Sequence, residues 1–177
     1  MTTSLAELDQ FLGQPLPDDY PADQRQLYAP TDQVHEALLH LVQSATASLV
    51  IAMYGFTDRE LADAVRAKMA DPKVFVQLTL DASQAVGHTE SELLNAEQFP
   101  ASNVAVGHSE HGALMHLKEV IIDGHTLITG STNWSESGEN KQDNALVVIG
   151  NPHMCARSRA RIDAVHAHMV AASRARR

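Results

Sequence analysis

"MHLKEVIIDGHTLITGSTNW", from Met115 to Trp134, decides how the rest of the chain is read. Asp123-Gly124 is a strong two-residue hairpin signal between two β-rich runs, Val120-Ile121-Ile122 and Thr126-Leu127-Ile128. A two-residue turn sets Ile122 opposite His125, and the register then places Thr129 opposite Lys118 and Ser131 opposite His116. Because side chains alternate along a strand, one face carries His116, Lys118, Val120 and Ile122. The expected hairpin has an apolar floor and a polar rim made by His116, Lys118, Ser131 and Asn133. Such a rim, at the loose end of a buried sheet, is where α/β proteins place their sites.

Those residue types suit a phosphate better than a metal. A neutral imidazole offers a nucleophilic nitrogen, and an ammonium supplies a fixed positive charge that would repel a cation. Hydroxyl and amide groups donate hydrogen bonds to oxyanions. Lys118, Ser131 and Asn133 are therefore the candidate substrate-binding groups, holding the non-bridging oxygens as charge shifts in the transition state. His116 is the candidate nucleophile. Simpler readings compete at some positions: Asp123 fits the turn itself, and Gly130-Ser131 could end a strand and cap a helix near Trp134. His116 and Lys118 resist such a reading, since a face built of Val and Ile gains nothing from them.

The spacing His116-x-Lys118, four residues, Asp123, six residues, Gly130-Ser131-x-Asn133 resembles the HxKxxxxDxxxxxxGSxN signature of the phospholipase D superfamily. "SLVIAMYGFTDRELADAV" (Ser48 to Val65) resembles that family's first strand and following helix. "VFVQLTLD", ending at Asp81, is similar to its second strand, and "NKQDNALVVIG" to the segment after the signature. The resemblance implies an α/β fold with a mixed sheet flanked by helices on both faces. It further implies a metal-independent phosphodiesterase that works through a phosphohistidine on His116 and needs no cofactor. Asp123 enters the candidate catalytic set as the signature's aspartate. The acid expected to orient the histidine is Asp143, between Asn140 and Asn144, where the family often carries a glutamate one residue closer.

Larger members of that family carry the signature twice, and this chain carries it once. In-line displacement needs one group to attack phosphorus and another to protonate the leaving oxygen. The resemblance to small, single-signature members therefore implies a homodimer in which His116 of each chain meets at a shared site. Two other constellations compete. His108, Glu110, His111 and His116 lie close in sequence, as zinc ligands can, but they lack HExxH spacing, and Gly107 and Gly112 point to a loop. Ser131 with His116 as its base lacks the GxSxG elbow.

Composition bounds the remaining choices. A chain of 177 residues with 44% hydrophobic content supports one domain with a true core. Cys155 is the single cysteine, which rules out an intrachain disulfide. No apolar run reaches membrane-spanning length and the N-terminus lacks a signal-peptide core, so a cytoplasmic protein without stable membrane insertion is expected. A net charge of −9 is unfavourable for a nonspecific DNA binder. Against that, Arg157, Arg159, Arg161, Arg174, Arg176 and Arg177 gather at the C-terminus as a candidate nucleic-acid clamp. The favoured substrate is nucleic acid, DNA or RNA, cut by an endonuclease. The alternatives are a phospholipid headgroup or a catalytically idle nucleic-acid-binding dimer.

The expected organisation is an acidic, proline-containing arm over residues 1–27, a catalytic domain over 28–172 and a basic tail over 173–177. Within it, helices are expected from Leu5 to Leu12, from a cap at Thr31 or Asp32 through Ser44, from Asp58 to about Met69, from Glu90 to Ala96 and from Pro152 to about Ala172. Strands are expected over "SLVIAMYGF", Lys73 to Leu80, Val104 to Val106, the two hairpin arms and Ala145 to Ile149. Tyr54, Phe56 and Trp134 fall near the site, where they could pack or stack on bases.

Overall fold

The computed structural model describes residues 5–84 and 103–175. Its strands are β1 (Gln24–Ala29), β2 (Ser48–Met53), β3 (Phe75–Asp81), β4 (Val104–Gly107), β5 (Lys118–Ile122), β6 (Thr126–Gly130) and β7 (Asn144–Ile149). They form one mixed sheet in the order β1-β7-β6-β5-β2-β3-β4. β2, β3 and β4 run parallel, whereas β5, β6, β7 and β1 join antiparallel. Helices α1 (Val34–Ser44) and α2 (Arg59–Ala70) cover one face, and α4 (Pro152–Ala175) covers the other. A short α3 (Glu136–Asn140) follows β6, and a 3-10 helix spans Leu5–Phe11. The expected mixed sheet with helices on both faces is the observed architecture.

Burial on both faces explains why "SLVIAM" is continuously apolar rather than alternating. Leu49, Ile51 and Met53 of β2 enter the core beneath α1 and α2, with Val120, Ile122 and Ile128 beside them. Val50 and Ala52 point the other way, to Ile121, Leu127 and the Cys155, Ile162, Val165 and Met169 stripe of α4. That stripe recurs at helical spacing, so one sheet closes two cores. α2 starts as expected, with Asp58 as N-cap accepting from Leu61 N at 2.8 Å.

Four details depart from the sequence reading. Residues 24–29, of which 24–27 were expected inside the N-terminal arm, are an edge strand paired with β7. Their alternation of buried Arg25, Leu27 and Ala29 with exposed or half-buried neighbours is masked by its polar residues, which an edge strand tolerates. Leu5 and Leu8 of the preceding 3-10 helix are also core residues. α1 is not capped by Thr31 or Asp32: its N-cap position is Gln33, without a side-chain cap. Asp32 instead accepts from Tyr28 N and Gly13 N, at 2.6 and 2.7 Å. The helix expected over Glu90 to Ala96 lies outside the described residues.

The fourth departure is the hairpin register. Asp123 (φ 52°) and Gly124 (φ 69°) form the turn, and His125 N donates to Ile122 O at 3.1 Å. The ladder nevertheless resumes with Ile122 opposite Thr126 and Val120 opposite Ile128, so His125 is an extra residue on the β6 side. A one-residue slip turns every later β6 side chain to the other face. Gly130, not Thr129, therefore approaches the level of Lys118.

Asp123 supplies the cause. Its carboxylate accepts from Thr46 N, Thr46 Oγ1, Ala47 N and Ser48 N at 2.7–3.2 Å, while its own N–H donates to Ser48 O at 2.9 Å. The turn is thus docked onto the start of β2. Burial alone would raise the Asp123 pKa, but the donors from Ser48, Ala47 and Thr46 outweigh it and hold the carboxyl below its ordinary value. A depressed folded-state pKa contributes stability that is present above the unfolded value, about 3.9, and is lost as pH falls through the folded value. Asp123→Asn is accordingly expected to lower the urea midpoint at neutral pH, with the gap to wild type closing from about pH 5 to about pH 2. A gap independent of pH, in urea titrations across that range, would show that the charge contributes nothing.

Candidate functional site

The site is assembled where β2 ends, β5 begins and β6 ends, at the carboxyl end of the parallel strands. Lys118 opens β5 opposite Met53, the last residue of β2, and Tyr54 N donates to Leu117 O at 2.9 Å. Lys118 is only 8% exposed, whereas His116, two residues earlier, is exposed. The Lys118 Nζ lies 3.2 Å from His116 Nδ1, 3.3 Å from Nε2 and 3.2 Å from the His116 carbonyl oxygen. Tyr54 closes the other side, its ring centroid 4.4 Å from that of His116 and 4.9 Å from the ammonium. The imidazole is therefore held between an aromatic ring and a buried cation, with an edge open to solvent. Burial pulls the Lys118 pKa down, as expected for a cation withdrawn from water.

Asn133 is positioned by close backbone packing. Its side chain lies against Gly55, where an added Cβ would stand 3.2 Å from Asn133 Cγ and 3.3 Å from Oδ1. That Oδ1 is buried without a hydrogen-bond partner. Trp134 N donates to Gly55 O, and Thr57 N and Asp58 N donate to Trp134 O, at 2.7–3.0 Å, which stitches the signature's end to the β2–α2 loop. Gly130 is demanded by space as well as by its φ of 142°: a Cβ there would lie 2.1 Å from Ala145 O.

Ser131 sits differently from the expectation. With the register slipped it turns toward β7, where its hydroxyl donates to Asn144 Oδ1 at 2.8 Å and accepts from Ala145 N at 3.1 Å. Asp123 is at the far end of the hairpin, separated from Lys118 by the length of β5, roughly 17 Å at 3.4 Å per residue. Asp143 is exposed just before β7, and among the described residues it forms no hydrogen bond or ion pair with His116. The structure thus brings His116 and Lys118 together and sets Asn133 beside Gly55, next to Tyr54. It bonds Ser131, just past β6, to Asn144 and Ala145 of β7 and keeps Asp123 with β2.

His108, Glu110 and His111 do not converge with His116 into a metal-ligand set among the described residues. Glu110 pairs instead with Arg161, and Arg159 pairs with Asp163, which commits two arginines of the expected clamp to acids. Arg176 and Arg177 lie outside the described residues. Phe56 and Trp134 pack edge to face in the core, centroids 4.9 Å apart. Tyr54 alone of the three aromatics faces the site.

One positioning residue was missed. Asp81, fully buried at the end of β3, accepts from Met115 N at 2.6 Å and from Ser83 N and Oγ at 2.9 and 2.6 Å. Burial opposes its ionisation, but these donors, Ser83 first, hold its pKa below the ordinary value. It anchors the residue immediately before His116. A buried acid ending a strand after "VFVQLTL" was the available signal.

A family model described as "Cardiolipin synthase, PLD-like domain" matches residues 38–165, and the chain belongs to this phospholipase D-like family. Among curated proteins it is similar to the mitochondrial cardiolipin hydrolase of Chlamydomonas reinhardtii, 29% identical over 129 residues. That match covers 73% of this chain and 56% of the relative, so the chain spans about half the length of the relative it matches. Among solved structures it is similar to Nuc from Salmonella typhimurium, a phospholipase D family member, with a TM-score of 0.68 and 24% identity over 80% of this chain and 92% of that one. NucT from Helicobacter pylori gives the same TM-score of 0.68 at 20% identity, covering 80% and 94%. At these identities the two structures establish the shared fold.

Proposed function

We propose that this chain is a metal-independent phosphodiesterase that cleaves nucleic acid at a site shared by two copies. The observation that carries this reading is the exposed imidazole of His116 held within 3.3 Å of a buried lysine, on a chain with one such signature. His116 attacks phosphorus through a ring nitrogen, forming the N–P bond as the P–O bond to the leaving group breaks. Lys118 and the Asn133 amide stabilise the non-bridging oxygens, and Ser131 assists by fixing the strand end that carries Asn133. His116 of the second copy donates a proton to the departing oxygen, then takes one from the water that releases the phosphohistidine. Asp143, exposed beside the rim, is the acid assigned to orient the imidazole once the two copies meet. Asp123 serves the same site by fixing the hairpin on β2.

Nucleic acid is favoured over lipid because the described surface offers little for acyl chains. Among the described residues the exposed large hydrophobics are Tyr28, Phe75, Leu114 and Met154, and of these only Leu114 lies in the loop leading to His116. No helix among the described residues is long and apolar enough to cross a membrane. The similarity to a cardiolipin hydrolase keeps phospholipid cleavage as the second reading. The deciding experiment is a screen of single- and double-stranded DNA, RNA and cardiolipin vesicles, with and without chelator, comparing wild type with His116→Ala. His116-dependent cleavage of nucleic acid in chelator is expected. Cleavage confined to cardiolipin would replace the nuclease reading with the lipid one, and salt-dependent DNA binding without any cleavage would favour an idle binding dimer.

The Asn133 assignment has its own check. In Gly55→Ala the new methyl must displace the Asn133 side chain by a few tenths of an ångström, so kcat is expected to fall about 3- to 10-fold. A steady-state rate equal to wild type would remove Asn133 from the set of groups contacting the transferred phosphate.

A further inference from the structure

Behind the phosphate site, on the α1/α2 side of the sheet, lies a cluster that the chemistry of His116 does not use. His35 Nδ1 is 2.6 Å from Glu139 Oε2 and 3.4 Å from Asp58 Oδ2, and one ligand atom from each residue lies within 4.8 Å of the others. The three come from α1, the N-cap of α2 and α3. We propose that His35, Asp58 and Glu139 bind a zinc-type divalent cation that ties these three segments together behind Asn133.

Four observations support the assignment. Ligand atoms around a tetrahedral zinc at about 2.0–2.1 Å stand roughly 3.3 Å apart, and the 2.6 and 3.4 Å separations bracket that value. The cluster therefore reaches coordinating geometry by a small opening of the His35–Glu139 contact. Second, Glu139 is fully buried and its other oxygen, Oε1, has no hydrogen-bond partner. A buried carboxylate with an unused oxygen is costly unless a cation or proton meets it. Third, His35 Nε2 lies 3.2 Å from Glu60 Oε2, so a carboxylate can hold the far ring nitrogen protonated and leave Nδ1 with its lone pair. This carboxylate–imidazole arrangement is what metal-ligating histidines carry in their outer shell. Fourth, Asp58 is already fixed in place, since its Oδ1 caps α2 while Oδ2 faces His35. One imidazole with two carboxylates, with water as the fourth ligand, suits zinc better than magnesium or calcium, which prefer all-oxygen sets.

The cation's role is structural. Asp58 N donates to Trp134 O, and an added Cβ at Gly138, next to Glu139, would meet Asn133 O at 2.5 Å, so the ligands and the end of the signature share one packed unit. No reacting group is a ligand, and binding can be measured without substrate. The test is equilibrium dialysis of chelator-stripped protein against zinc chloride with elemental analysis, followed by cobalt substitution read by visible absorption. About one zinc per chain, bound more tightly than about 10 µM, is expected. Glu139→Gln and Asp58→Asn should each weaken it about 100-fold, whereas His108→Ala and His111→Ala should leave it unchanged. Asparagine still caps a helix, so Asp58→Asn keeps the fold while removing a ligand charge. Absence of binding at that concentration, or wild-type affinity in both Asp58→Asn and Glu139→Gln, would overturn the proposal and leave a hydrogen-bonded His35–Glu139 pair.

Discussion

Replacing His116 by alanine is expected to lower turnover by about four orders of magnitude or more and to leave the fold intact. In the proposed mechanism the size follows from deleting the atom that forms the bond to phosphorus, since the groups that remain can bind and polarise the substrate but cannot attack it. The intact fold follows from position. His116 is exposed and precedes β5, and its contacts are with the Tyr54 ring and the Lys118 ammonium rather than with either core. Loss of that ring frees surface without opening a cavity, so the thermal midpoint should stay within about 2 °C of wild type. Asp143→Asn, which on the proposed assignment disturbs only orientation of the imidazole, should cost less. Retention of a tenth of the activity in His116→Ala, measured against each substrate class, would exclude the nucleophile assignment.

Lys118→Met is expected to lower kcat by about 100- to 1000-fold while leaving stability unchanged or raised. Methionine has nearly the same shape as the lysine stem and fills the same slot between β2 and the His116 ring. What disappears is a single positive charge where, in the proposed mechanism, the non-bridging oxygens gain negative charge, and groups of that kind are worth about 3–4 kcal/mol of barrier. The ammonium is nearly buried and its pKa is pulled down by that burial, which means the folded chain pays to keep it charged. Function lost together with stability gained is the signature of a residue kept for chemistry. Denaturant melts and initial rates on the same preparations decide the matter: a destabilised variant whose rate loss tracks its unfolded fraction would make Lys118 a structural residue.

How much of this was legible in the sequence depends on how local each feature is. The two hairpin arms, the apolar β2 run and the α4 stripe declare themselves through periodicity within a few residues, and the structure shows them. The polar pair His116 and Lys118 was legible because it breaks an otherwise apolar face. The register was not legible, since it turns on Asp123 binding Thr46, Ala47 and Ser48, more than seventy positions earlier in the chain. That slip also redirected Ser131 from the rim to Asn144. β1 escaped because polar residues alternate along an edge strand without a hydrophobic signal. Asp81 and the His35–Glu139 contact, 34 and 104 positions from their partners, are products of topology alone.

In the proposed mechanism one active site takes His116 from two chains. It is tested most directly by a heterodimer of one wild-type and one His116→Ala chain, co-expressed with different tags and purified through both. A shared site predicts turnover as low as that of the His116→Ala homodimer, because either the nucleophile or the proton donor is missing in every site. Turnover at about half the wild-type rate would mean that each chain holds a complete site of its own, and would contradict the account.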